Sequence, residues 1–146
     1  MGQSLTAQRT QARDVALKLI YERELGGEGG DTTITGLMEL DAAQLDMEYI
    51  VKVVNGVYDN LTSVDGEIEA HLKGWTIARL ARVDLSIMRL AVYEMMYMDG
   101  IPAAASINEA LELSHIYSTE RATPLINGVL GAIGRDLARG EQEKHN

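Results

Sequence analysis

At 146 residues and 46% hydrophobic content, the chain is the size of one domain and apolar enough to bury a core, which excludes disorder over most of its length. It contains no cysteine, so disulfides and thiolate metal sites are excluded, and no run approaches the roughly 18 apolar residues of a membrane span. The net charge of −9 is local: residues 26–72 hold ten carboxylates against one lysine, and the rest is balanced. An acidic total argues against broad, salt-driven nucleic-acid binding but allows a basic edge built from the two ends of the chain.

Taken in chain order, Thr6 to Leu25 reads as a helix, because Ala12, Val15, Ala16, Leu19 and Ile20 recur at three- and four-residue spacing. The run Gly26-Gly27-Glu28-Gly29-Gly30 ends it. A phosphate-cradling role for these glycines is disfavoured, since no Gly-Lys-Ser/Thr follows. A short helix is expected within Thr33 to Leu40. Asp41 or Asp46 then opens a longer one whose apolar face runs from Met47 through Ile50, Val54 and Val57 to Leu61. Asp65 to Lys73 reads as another short helix, and Trp75 and Ile77 mark the turn after it.

Leu80 to Met98 is apolar on almost every side, the pattern of a buried helix with the others packed about it. Its methionines Met88, Met95, Met96 and Met98 read as core filling. Asp99-Gly100 ends it, and Pro102 suits the first turn of the next helix, which runs to about Tyr117. Thr123-Pro124 reads as an N-cap and first helical residue, and Ile126, Val129, Leu130, Ile133 and Leu137 form the last stripe. The tail from Gly140 is polar and expected to fray. No alternating strand pattern and no internal repeat occurs. The fold class is therefore all-α, with about seven helices around a buried central one.

No catalytic or metal constellation stands out. His71, His115 and His145 are too far apart to share a helix face at i, i+4, and no Gly-x-Ser-x-Gly elbow is present. No enzyme activity, metal or cofactor is expected. With no charged-then-apolar leader at the N-terminus, a soluble, cytoplasmic protein is expected. Polar residues set into the apolar helices, Arg89 and Glu94 above all, are expected to join neighbouring helices, because a buried charge is tolerated only when paired. Gly128 is expected to allow close helix packing.

Three signatures lie inside the segment from Trp75 to Gly134: Val-Asp-Leu-Ser-Ile-Met-Arg-Leu-Ala-Val-Tyr-Glu (83–94), Ser-Ile-Asn-Glu-Ala (106–110) after Ile-Pro, and Ile-Asn-Gly-Val-Leu (126–130). In this order and spacing the chain resembles the NusB family of bacterial transcription antitermination factors. The N-terminal half matches in helix layout and length. The resemblance implies a seven-helix NusB-like RNA-binding domain over residues 1–139, with 140–146 as a polar tail. It implies binding of boxA-type RNA together with NusE, a small-subunit ribosomal protein, with no cofactor or catalysis. Other Nus factors and RNA polymerase are implied as further partners, and homodimerisation is left open.

The family's arginine-rich opening of the first helix corresponds here to Arg9 and Arg13, four residues apart and expected on one face, able to grip adjacent phosphates. Arg82 and Arg121 would extend that edge, with Arg79 beside them. Leu125 and Asn127 at the start of the last helix match the second RNA contact of the family. A basic residue and an aromatic commonly precede the Asn-Gly pair there; this chain has Pro124 and Leu125, which removes a phosphate partner and a stacking platform. Tyr21 and Asp84 match the surface that meets NusE, although Asp84 also reads as a charge favoured near a helix N-terminus. The alternative reading is a NusB-fold protein-interaction module with weakened or lost RNA binding.

Overall fold

The computed structural model describes residues 5–26 and 46–145. Gly27, Glu28, Gly29 and Gly30, the short helix expected within residues 33–40, and Asp41 lie outside the described residues. Among those described there are six α-helices, one 3-10 turn and no strand: α1 Leu5–Glu24, α2 Met47–Asp59, α3 Leu61–Ala70, the turn Ile77–Arg79, α4 Arg82–Tyr97, α5 Ala103–Tyr117 and α6 Ala122–His145. No helix among them is long and apolar enough to cross a membrane.

The all-apolar segment is the hub, as its pattern predicts. Every residue from Asp84 to Glu94 in α4 is buried. Ala12, Ala16, Leu17 and Ile20 of α1, Ile50, Val53, Val54 and Val57 of α2, and Ile126, Leu130 and Ile133 of α6 form one core with it. Each buried valine, leucine or isoleucine among them stabilises the fold by about 1.5–3 kcal/mol. Met88 is fully buried, and Met95, Met96 and Met98 pack on the core edge.

Local chemistry sets the helix ends. Asp46 caps α2, its carboxylate accepting from the Tyr49 N–H at 3.1 Å. The helices α2 and α3 break at Asn60, whose N–H and side-chain amide both donate to the Gly56 carbonyl, so α3 begins at Leu61, earlier than the apolar pattern suggests. The last helix also starts early. Thr119 is the capping residue, its hydroxyl accepting from the Ala122 N–H at 3.3 Å, while the Thr123 hydroxyl bonds Ser114 at 2.9 Å. Pro124 thus falls within the first turn, where no N–H is needed. At the far end α6 continues to His145, past the last apolar residue of its stripe, Leu137.

The close helix approach is not at Gly128, where an added Cβ would meet nothing within 4 Å, but at Gly56 of α2. There a Cβ would collide with the Tyr93 ring of α4. His71 Nε2 lies 2.5 Å from the Asp136 carboxylate of α6, a contact that ties the end of α3 to the last helix.

Candidate nucleic-acid interface

Two buried polar clusters hold the helices that carry the predicted site residues. In the first, Arg89 donates to both oxygens of Asp65 at 2.8 Å each and to Glu24 at 2.5 Å. Burial works against the Arg89 charge, but these carboxylates outweigh it and hold its pKa above the ordinary arginine value. Burial would likewise raise the Glu24 pKa, yet hydrogen bonds from Arg89 and Arg82 lower it overall.

In the second cluster, Glu94 is 1% exposed and receives four donors. Arg13 contributes Nε at 2.8 Å and Nη2 at 3.1 Å, Ser106 Oγ donates at 2.8 Å, and the Tyr49 hydroxyl completes the set. Arg13 also lies 3.6 Å from Glu109. Desolvation opposes its charge, and the attraction of Glu94 overcomes it, raising the pKa. The Tyr49 phenol is pushed well above its usual value by burial and by the adjacent Glu94 carboxylate. Arg89 and Glu94 therefore join helices, as the sequence predicts.

Arg9 and Arg13 consequently do not form the free pair that their spacing predicts. Arg13 is 6% exposed and turned inward to Glu94. Arg9 lies at the surface edge, paired with Asp46 at 3.2 Å and stacked 4.4 Å above the Tyr49 ring. Both arginines border an open groove of about 340 Å³ with Gly100, Pro102 and Glu109. Arg82 is also engaged: it donates to Glu24 at 3.0 Å and to the Ile77 and Leu80 carbonyls at 2.7 and 2.8 Å, clamping the 3-10 turn ahead of α4.

The start of α6 differs. Arg121 and Asn127 are exposed, with no ion pair to Arg121 among the described residues, and Leu125 is half-buried. Asn127 sits on the second turn of the helix rather than opening it. Beside them, the sequence pattern missed a second groove of about 390 Å³, which brings Leu125, Pro124 and Gly128 together with Lys73, Trp75 and Arg135. Its one early signal was a lone tryptophan in a loop.

Tyr21 and Asp84 flank a different face. Tyr21 is exposed near Leu25, while Asp84 is 7% exposed in the first turn of α4 and accepts from the Ser118 hydroxyl. The favourable charge at a helix start and this hydroxyl bond account for Asp84 locally. Tyr117, which donates to Asp14 of α1, and Ile116 leave further apolar surface exposed on the end of α5.

A model of the NusB family matches residues 10–135. The chain is 44% identical over 126 residues to the transcription antitermination protein NusB of Acetivibrio thermocellus, covering 86% of this chain and 87% of that one. Its fold is similar to that of NusB from T. maritima, with a TM-score of 0.77, 28% identity, and coverage of 92% and 93% of the two chains. A crystal structure of the antitermination factors NusB and NusE in complex with dsRNA aligns with a TM-score of 0.76 and 26% identity, covering 90% of this chain and 99% of the other.

Proposed function

Because the chain belongs to the NusB family, we propose that it is a non-catalytic transcription antitermination factor that acts in the cytoplasm and binds boxA-type RNA together with NusE. The observation that carries this reading is the 44% identity to an antitermination protein over most of both chains. The likeness to a NusB bound to NusE and RNA supports both partners.

In this reading RNA meets Arg9, beside the start of α5, and the start of α6, where Arg121 supplies an exposed charge and Asn127 and Leu125 the neighbouring contacts. Arg13 and Arg82 serve the scaffold and not the RNA: one anchors α1 to α4, the other shapes the turn before α4. On the partner face Tyr21 offers the contact and Asp84 holds the α5–α6 junction against the start of α4. The acidic stretch of residues 26–72 would speed encounter with a basic ribosomal protein. The functional unit is residues 1–139, with 140–146 as a polar extension.

A second reading is favoured by one observation. With Arg13 engaged by Glu94, fewer arginines are free than the sequence count suggests, which suits a protein-interaction module of weakened RNA affinity. Gel-shift of boxA-type RNA with and without NusE, over a range of salt, separates the two. A complex that tightens with NusE and weakens with salt supports the first reading. No complex at low salt in either case overturns it.

A further inference from the structure

The groove between the end of α3 and α6 combines an aromatic ring, apolar side chains and two cations on a chain of net charge −9. Trp75 is half exposed on one side, at 50%. The floor is Leu125, Val129 and the bare backbone of Gly128, where nothing lies within 4 Å of an added Cβ. Lys73 and Arg135 stand at its borders, both exposed, and neither has an ion pair among the described residues. No carboxylate lines it. The acids nearby are already engaged: Asp136 by His71 and Arg139, and Glu69 by the Ile77 N–H at 3.2 Å.

An exposed aromatic ring, apolar lining and two cations without ion pairs together offer single-stranded nucleic acid a stacking surface and phosphate partners. The ring stacks a base, and the cations meet the phosphates on either side. An open slot of about 390 Å³ lies in the volume range of small-ligand sites, room enough for a single base. The groove is also continuous with Leu125, the position where the chain lacks an aromatic.

We infer that this groove holds an unpaired base of bound RNA, with Trp75 as the stacking platform and Lys73 and Arg135 as phosphate contacts. The inference rests on the RNA-binding function proposed above and gives it a site that Arg9 alone cannot supply.

Trp75 is the single tryptophan of the chain, so its emission reports this groove alone. The full-length protein is titrated with boxA-type RNA, with and without NusE, following Trp75 emission and the anisotropy of fluorescein-labelled RNA together. Quenching with the same midpoint as the anisotropy change is expected. Trp75→Ala should weaken binding by roughly ten- to a hundred-fold and Trp75→Phe should recover most of it. Lys73→Ala combined with Arg135→Ala should reduce the slope of log affinity against log salt by about 1.4, or about 0.7 per contact.

Anisotropy binding with unchanged Trp75 emission and an unaffected Trp75→Ala variant would overturn the groove while leaving RNA binding intact. Absence of any RNA binding defeats the function beneath it. An emission change on adding NusE without RNA, or on raising the protein concentration alone, would make the groove a protein-docking surface and overturn the proposal.

Discussion

Replacing Arg13 by alanine separates a structural arginine from a phosphate-gripping one. Its guanidinium makes two hydrogen bonds to Glu94, at 2.8 and 3.1 Å, with both side chains almost wholly buried. Removing one partner of a buried pair costs about 3–5 kcal/mol, because the other charge is left uncompensated. Glu94 would retain the Tyr49 and Ser106 hydroxyls, so the lower end, about 3 kcal/mol, is expected. At about 2–4 °C per kcal/mol for a chain near this size, the melting temperature should fall by roughly 6–12 °C. Urea denaturation should show a lower midpoint with an unchanged slope. RNA affinity, normalised to folded protein, should barely change. A stability loss below about 1 kcal/mol, the range of an exposed ion pair, would refute the reasoning. It follows that lost RNA binding in an Arg9→Ala/Arg13→Ala double variant cannot be assigned to phosphate contacts unless folding is measured alongside.

Arg9→Ala should behave in the opposite way. Its part-exposed pair with Asp46 contributes at most about 1 kcal/mol, while the salt slope of RNA binding should drop by about 0.7. Two glycine substitutions should differ in sign by denaturant titration. Gly56→Ala, which drives a Cβ into the Tyr93 ring, should destabilise by about 1–3 kcal/mol, whereas Gly128→Ala, with open space around it, should stabilise by about 0.5–1 kcal/mol. The Tyr49 phenol holds its proton in the folded state beyond the pH at which an unfolded tyrosine loses it. Its contribution is therefore complete below about pH 10 and is lost as pH rises past that, by up to about 1.4 kcal/mol per pH unit. Tyr49→Phe should flatten this alkaline decline in stability.

Helix positions and the buried hub were legible because they depend on local apolar spacing. The direction of Arg13 was not, since its spacing from Arg9 set it on a phosphate-gripping face while it turns inward to Glu94. Yet it lies three residues before Ala16 and four before Leu17, both buried, which places it over the packed stripe rather than beside it. What spacing could not show was the partner: Glu94 is 81 residues away, and only the packing of α1 on α4 brings them together. The early start of α6 was hidden for a similar reason. Thr123 has the chemistry of a cap, but its hydroxyl is taken by Ser114 of the preceding helix, which leaves capping to Thr119. The groove at Trp75 joins a loop to a helix some fifty residues on, and no local pattern announces such a meeting.

Antitermination by this protein is tested by reconstituted transcription through a terminator downstream of a boxA element. With NusE, the other Nus factors and RNA polymerase present, adding this protein should raise the share of read-through transcript, and deleting boxA should abolish the gain. Read-through that is the same with and without the protein would contradict it.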